Sequence, residues 1–336
     1  MKAYVAPRDG LRVRNAPSME GKIIKNLVYR QQVEVDRIVK DGWSKLLNTS
    51  SDLWVHGAFL VPSDPMLPFV LPISASKINL HASAGGWPPT PSQIKLVKGN
   101  RVNAVFIPVY QPNFADRIVS LFREAGVEHF VLRSVTPYFP RTGAEYAKLA
   151  LPAVRAFTTA LGTTKVMLQL HNEPNLYAEG LDIWQIGANY NKWFIDAFNV
   201  FVRELPGIKI GFSPMSPGGS VLNVRYDDRL FLNGCKGAID LCHWFAVHAY
   251  YGNSDASDLT LPIKNWKIYA QGKPIVCTEA GPSLNKQVTT EGARNMFKKF
   301  AAVGVPAFAW ILDAAGERSF EGQSWDRNNI LLPAFG

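Results

Sequence analysis

Lys165-Val166-Met167-Leu168-Gln169-Leu170-His171-Asn172-Glu173-Pro174 is an apolar run that ends on an acid and a proline, and its reading decides the fold. The run has the length and composition of a buried strand, and Pro174 biases Glu173 toward extended backbone before the chain turns away. An amphipathic stretch, Asp182 to Glu204, follows, and then a second apolar run, Lys209 to Ser213. Strand, helix and strand in that order predict a parallel pair with the helix crossing one face. Outward from this unit the pattern repeats. Strands are predicted at Ile78 to Ser83, Val102 to Val109, His129 to Val135, Trp244 to Tyr250, Pro274 to Glu279 and Pro306 to Leu312, with amphipathic stretches at Phe114 to Ala125, Glu145 to Leu161 and Thr290 to Val303. Eight such units over residues 74–336 predict an α/β fold, a (β/α)8 TIM barrel whose site lies at the carboxyl ends of its strands.

Two of those strands end in glutamate. Glu173 closes the fourth, and Glu279, in Val276-Cys277-Thr278-Glu279-Ala280-Gly281, closes the seventh. Two carboxyl groups across a barrel mouth are what hydrolysis of a glycosidic bond requires, one to protonate the leaving oxygen and one to attack or to activate water. Strand alternation puts Gln169, His171 and Glu173 on the barrel's inner face, with Asn172 pointing outward unless the strand end bulges or twists. On the sixth strand Ala246, His248 and Tyr250 share a face, so His248 and Tyr250 reach the mouth. The Tyr250 hydroxyl is placed to bond Glu279 and hold its rotamer, and His248 to sit between the two carboxylates and substrate.

The first 61 residues read differently. Short β-type runs, with turns at Asp9-Gly10, Glu20-Gly21 and Asp41-Gly42, predict a small all-β barrel. Leu11-Arg12-Val13-Arg14-Asn15-Ala16-Pro17-Ser18, Lys22-Ile23-Ile24, Val33-Glu34-Val35, Asp41-Gly42-Trp43-Ser44-Lys45 and Leu53-Trp54-Val55-His56 follow in an order that resembles a bacterial SH3 domain. The resemblance implies a module that attaches an enzyme to a cell wall or other surface. The module carries ten basic and six acidic side chains, +4 of the chain's +9. That excess draws it to polyanions such as teichoic acid or serves solubility. Of Trp43 and Trp54, both available as ligand platforms, at least one belongs in the core of so small a barrel. A proline-rich linker is expected over residues 62–73.

Asn-Glu at the end of strand four with Glu at the end of strand seven resembles clan A of the glycoside hydrolases, retaining enzymes on this barrel. The resemblance implies Glu279 as nucleophile, Glu173 as acid and base, and Asn172 at a sugar 2-hydroxyl. Phe308-Ala309-Trp310-Ile311-Leu312 resembles the clan strand whose Trp floors a sugar subsite and often precedes a cis peptide. Arg133 matches a clan arginine that bonds a rim carboxylate, but that arginine commonly stands one strand earlier, where this chain has none. Either the strand count slips by one or Arg133 serves another purpose. Trp87, Tyr138, Tyr177, Trp184 and Trp325 fall near loops after strands, where aromatic faces suit additional sugar subsites and a cleft for a chain.

With 47% hydrophobic and 12% aromatic residues, the 336-residue chain has ample material for a core. No run approaches the ~18 apolar residues of a membrane span, and Met1-Lys2-Ala3-Tyr4 enters strand-like sequence without a secretory stretch. Basic residues are scattered and not clustered with stacking aromatics, which argues against nucleic acid. Cys235, Cys242 and Cys277 lack metal-ligand spacing and read as free structural thiols in preference to a Cys235–Cys242 disulfide. No cofactor or metal is expected. The reading is a retaining, endo-acting β-glycosidase on a polysaccharide, tethered to a wall or matrix and placed extracellularly, or cytoplasmic before release if phage-encoded. Alternatives are a peptidoglycan lysin of the same mechanism, a non-catalytic carbohydrate-binding barrel, and an SH3-type peptide scaffold.

Overall fold

A computed structural model of the chain describes residues 2–5, 10–28, 31–36, 42–61, 69–82, 87–162, 166–252, 259–283, 286–314 and 318–332. Asp9 and Asp41 of the expected turns, residues 62–68 of the expected linker, and Ser83 and Lys165 at expected strand ends lie outside the described residues. The chain divides into two compact units, Met1–Phe69 with Lys236–Leu241, and Val70–Cys235 with Cys242–Gly336.

In the first unit β1 (Lys2–Val5), β2 (Leu11–Arg14), β3 (Ile23–Leu27), β4 (Gln32–Glu34), β5 (Trp43–Lys45), β6 (Trp54–His56) and β7 (Leu60–Val61) form two antiparallel sheets, ordered β4-β1-β7 and β3-β2-β6-β5. Alternation along these strands turns Ala3, Val5, Leu11, Val13, Leu27 and Val55 into one apolar core. Trp43 is buried, its ring centroid 5.3 Å from that of His56 in an edge-to-face contact, whereas Trp54 is half-buried.

The second unit is built on β8 (Asn79–His81), β9 (Ala104–Val109), β10 (His129–Ser134), β11 (Val166–Gln169), β12 (Lys209–Phe212), β13 (Trp244–Tyr251), β14 (Ile275–Pro282) and β15 (Ala307–Ala309). These eight parallel strands close into a barrel in sequence order, β15 pairing back onto β8. Every residue of Ala104–Val109 is buried, as expected where helices cover the outside of a strand and neighbours fill the inside. Its helices are α1 (Pro91–Gly99), α2 (Ala115–Glu124), α3 (Gly143–Leu161), α4 (Leu181–Trp184), α5 (Gly187–Glu204), α6 (Asp228–Asn233), α8 (Thr260–Ala270) and α9 (Thr290–Ala302), while α7 (Lys236–Leu241) is grouped with the first unit. Their starts are written locally. Thr90 and Gln93 form a reciprocal capping box with Pro91 in the first turn, and Thr142 and Thr289 cap α3 and α9.

The single helix expected over Asp182 to Glu204 is two, because Gln185 takes φ 60° between α4 and α5. The break lets Trp184 turn its indole back to donate to the Pro174 carbonyl at 2.7 Å. Gly143 makes the α3–α5 crossing possible, since a Cβ there would lie 1.7 Å from the Trp193 carbonyl oxygen. Among the described residues no helix is long and apolar enough to cross a membrane.

Candidate active site

The β13–β14 ladder slips within the mouth. Val247 pairs with Cys277 but His248 with Glu279, so Thr278 is the extra residue of a bulge. Such a bulge re-aims the side chain that follows it, and here it sets Glu279 level with His248. Gly281 keeps the next turn of the strand close to Trp310, whose carbonyl oxygen would lie 3.0 Å from an added Cβ.

Glu173 reaches the mouth by another route. Strand pairing stops at Gln169, and the Leu170 carbonyl accepts from the hydroxyls of Ser134 and Tyr146 at 2.7 and 2.6 Å. Period-two alternation therefore ends there. His171, expected inside, instead packs outward among Phe139, Tyr146, Trp184, Tyr190 and Trp193, with ring centroids 5.2 to 6.1 Å away. Asn172 turns inward, where its Oδ1 accepts from Arg133 Nη1 at 2.8 Å. The Glu173 loop is fixed by Leu176 N–H on the Glu173 carbonyl at 2.9 Å, by Trp184 on Pro174, and by the buried Asn175 amide bonded to Ser216 and Tyr226.

His248 joins the two carboxylates, its Nδ1 lying 2.8 Å from Glu173 Oε1 and 3.5 Å from Glu279 Oε2. Burial opposes a charge on this ring, yet Glu279 and Glu173 together raise its pKa above the usual histidine range. Tyr250 donates its hydroxyl to Glu279 Oε2. Burial and the neighbouring carboxylates push Tyr250 well above its ordinary pKa, so it remains a donor. Arg133, on the third strand as counted from the sequence, donates Nη1 to Glu279 Oε1 at 2.8 Å. Burial works against the guanidinium charge, but Glu279 beside it raises its pKa. The strand count therefore stands, with an arginine on strand three contacting this carboxylate.

Two residues escaped the sequence reading. His81, at the end of β8, is fully buried with its Nε2 3.9 Å from Glu279 Oε1 and its ring 4.4 Å from Trp310. Burial first, then Arg133 and His248, hold its pKa well below the usual value, which favours the neutral ring. Glu179, in the loop after β11, accepts from Asn172 Nδ2 at 2.8 Å. Burial is the main cause of its raised pKa. A histidine ending the first strand was a legible signal for His81; Glu179 sits in a loop whose path only the structure reveals.

Trp310 is buried, with edge contacts to His81 and Phe320, a bond from its indole to Gln323 Oε1 at 3.3 Å, and a cis peptide to Ile311. Trp87 and Tyr138 do not join this cluster. Both are more than half exposed, Trp87 packing on Phe114 at 5.4 Å. Tyr177 is exposed as well, whereas Trp184 and Trp325 are buried, Trp184 against Tyr190 and Trp193 and Trp325 against Phe297, and offer no surface to a sugar. The three cysteines are buried and not joined in a disulfide, and among the described residues no group of His, Cys, Asp and Glu is arranged to hold a metal ion.

Among solved structures, the barrel is similar to a GH128 (subgroup II) endo-β-1,3-glucanase from Sorangium cellulosum at a TM-score of 0.50 and 14% identity, over 76% of this chain and 94% of that one. It is also similar to a β-mannanase from Streptomyces thermolilacinus, at 0.48 and 12% identity over 77% and 86%. At such identities the likeness is one of fold. No curated protein sequence matches the chain. Residues 9–61 match the bacterial SH3 domain.

Proposed function

We propose that this chain is a glycoside hydrolase that cuts a β-linked polysaccharide by double displacement. Glu279 attacks the anomeric carbon while Glu173 protonates the departing oxygen; Glu173 then takes a proton from the water that releases the sugar. The observation that carries the proposal is the joining of both carboxylates at one mouth by His248, with Glu279 gripped by Arg133 and Tyr250. One imidazole nitrogen, His248 Nδ1, lies 2.8 Å from Glu173 Oε1 and 3.5 Å from Glu279 Oε2, a closeness that suits the roughly 5–5.5 Å carboxyl spacing of retaining enzymes. Two fixed donors, Arg133 and Tyr250, hold the rotamer of the nucleophile, which favours direct attack over activation of a distant water.

Asn172 and Trp310 line the sugar next to the broken bond, and Trp87 and Tyr138 touch a longer chain further out. The SH3 module holds the enzyme to a cell wall or matrix outside the cell. Reducing ends released from β-1,3-glucan, mannan, xylan, galactan and peptidoglycan, beside a Glu279→Gln control, test the reading. Release from one polymer that vanishes in the variant supports it and names the sugar. A folded protein that releases nothing from any polymer overturns it in favour of a carbohydrate-binding barrel.

A further inference from the structure

The Asn172 amide lies between a group that can only donate and a group that, when ionised, can only accept. Its Oδ1 faces Arg133 and its Nδ2 faces Glu179 Oε1, each at 2.8 Å. The same Arg133 Nη1 donates to Glu279 Oε1 at 2.8 Å, so one run of charge-assisted bonds passes from Glu179 through Asn172 and Arg133 to Glu279. The two ends of an amide have nearly the same shape, and only their partners tell them apart. A flipped Asn172 would set its NH2 against the guanidinium and its oxygen against the Glu179 carboxylate, losing two bonds and creating two repulsions. Glu179 belongs to the turn Tyr177–Glu179, which is tied through Leu176 to the Glu173 carbonyl.

Resting on the glycosidase reading, we propose that Glu179 is a positioning residue that locks the Asn172 amide and thereby keeps Arg133 aimed at Glu279. The charged groups acting on Glu179 are Arg133, Glu173 and Glu279. Burial and the two carboxylates favour its neutral form, while the Asn172 bond and Arg133 favour its ionised form. Protonation would let Glu179 donate as well as accept and would loosen the lock.

The full chain labelled with ¹⁵N-asparagine tests this, the Asn172 side-chain amide being assigned by its loss in Asn172→Ala. The amide shift is expected to move with pH in the wild type and to lose that movement in Glu179→Gln; an unchanged titration in Glu179→Gln overturns the proposal. On a cleaved polymer, Glu179→Ala and Asn172→Ala are each expected to lower kcat/KM on the order of 10- to 100-fold, with the double variant no worse than the poorer single. Losses that multiply overturn it, as does a Glu179→Ala enzyme of full activity. Where Glu179→Ala does not fold, the near-isosteric Glu179→Gln takes its place in the cycle. The NMR arm needs no turnover, so a wild type that titrates as expected but cleaves nothing defeats the glycosidase reading and leaves the lock in place. An active wild type with multiplying losses defeats the lock alone.

Discussion

Glu279 and Glu173 face the same mouth but are held in opposite ways. Glu279 sits on a bulged strand with its side chain 5% exposed, bonded by Arg133 and Tyr250 and flanked by His248 and His81. Glu173 sits on a loop beyond its strand's last paired residue, is 13% exposed, and has His248 as its hydrogen-bond partner. A group that must form a bond to carbon along one line gains from rigid aim. A group that must give a proton and take one back gains from a partner that itself holds protons and from contact with water.

Substituting the two glutamates breaks the comparison most severely. Glu279→Ala is expected to lower kcat by roughly 10⁴-fold or more on every substrate. Glu173→Ala is expected to lose about 10²- to 10⁴-fold on polymer, and much less in bond cleavage on aryl glycosides whose leaving groups need no proton. Added azide separates the roles further. It should attack in place of the missing carboxylate in Glu279→Ala, giving a product of inverted configuration, and attack the covalent intermediate in Glu173→Ala, giving a retained one. NMR of the glycosyl azides checks both, and the reverse pairing would exchange the assignments.

Tyr250→Phe weakens the grip on Glu279 alone. Losing a hydrogen bond to a charged group costs about 1.5–3 kcal/mol, so kcat should fall roughly 10- to 150-fold with the fold intact. Steady-state kinetics on polymer and on an aryl glycoside read it, and equal losses on both are expected because the defect lies with attack. A loss confined to polymer would place Tyr250 with the acid.

How much of this was legible depends on the range over which the information is encoded. The eight strands were readable because each is a buried apolar run, and His248 and Tyr250 because the extra residue of the bulge falls on β14 and β13 itself runs uninterrupted to the mouth. His171 was misread because alternation fails once the Leu170 carbonyl leaves the ladder for Ser134 and Tyr146, contacts supplied by β10 and α3. His81 reaches Glu279 only through closure of the barrel between β15 and β8, and Glu179 only through the path of a loop. The fate of Trp184 turned on one residue, Gln185, leaving the helix. For His171 and His81 local sequence specified the element and contacts distant in sequence specified the direction of the side chain; for Trp184 a single neighbouring residue changed the element itself.

His171, the outward neighbour of Asn172, gives a stability test that leaves both carboxylates in place. Burial first, reinforced by Arg133 and opposed by the bond to the Asn172 carbonyl, lowers its pKa from 6.5 to about 3. Between those values the unfolded chain binds a proton that the folded one excludes, so stability falls as pH drops below the unfolded value and the loss is complete near the folded one. The full effect is up to about 5 kcal/mol. His171→Phe, which keeps an aromatic ring in the cage, is expected to flatten this acid limb in thermal melts taken from pH 7 to pH 4. An unchanged limb would assign the acid sensitivity to other groups.

The smallest expected effect concerns the region that did not converge on the glutamates. Trp87 and Tyr138 are exposed on loops that follow β8 and β10, outside the cluster of buried, mutually bonded groups. If they stack against sugars of a bound chain, each contributes about 0.5–1.5 kcal/mol, a two- to tenfold rise in KM for long oligosaccharides on substitution by alanine. On this reading a short aryl glycoside, which fills only the sugar site beside the glutamates, keeps its kcat and KM unchanged. The contrast with Glu279 is then one of substrate length, since the glutamate acts on every substrate and the aromatics only on those long enough to reach them. Equal effects on short and long substrates would move Trp87 and Tyr138 from binding to support of their loops.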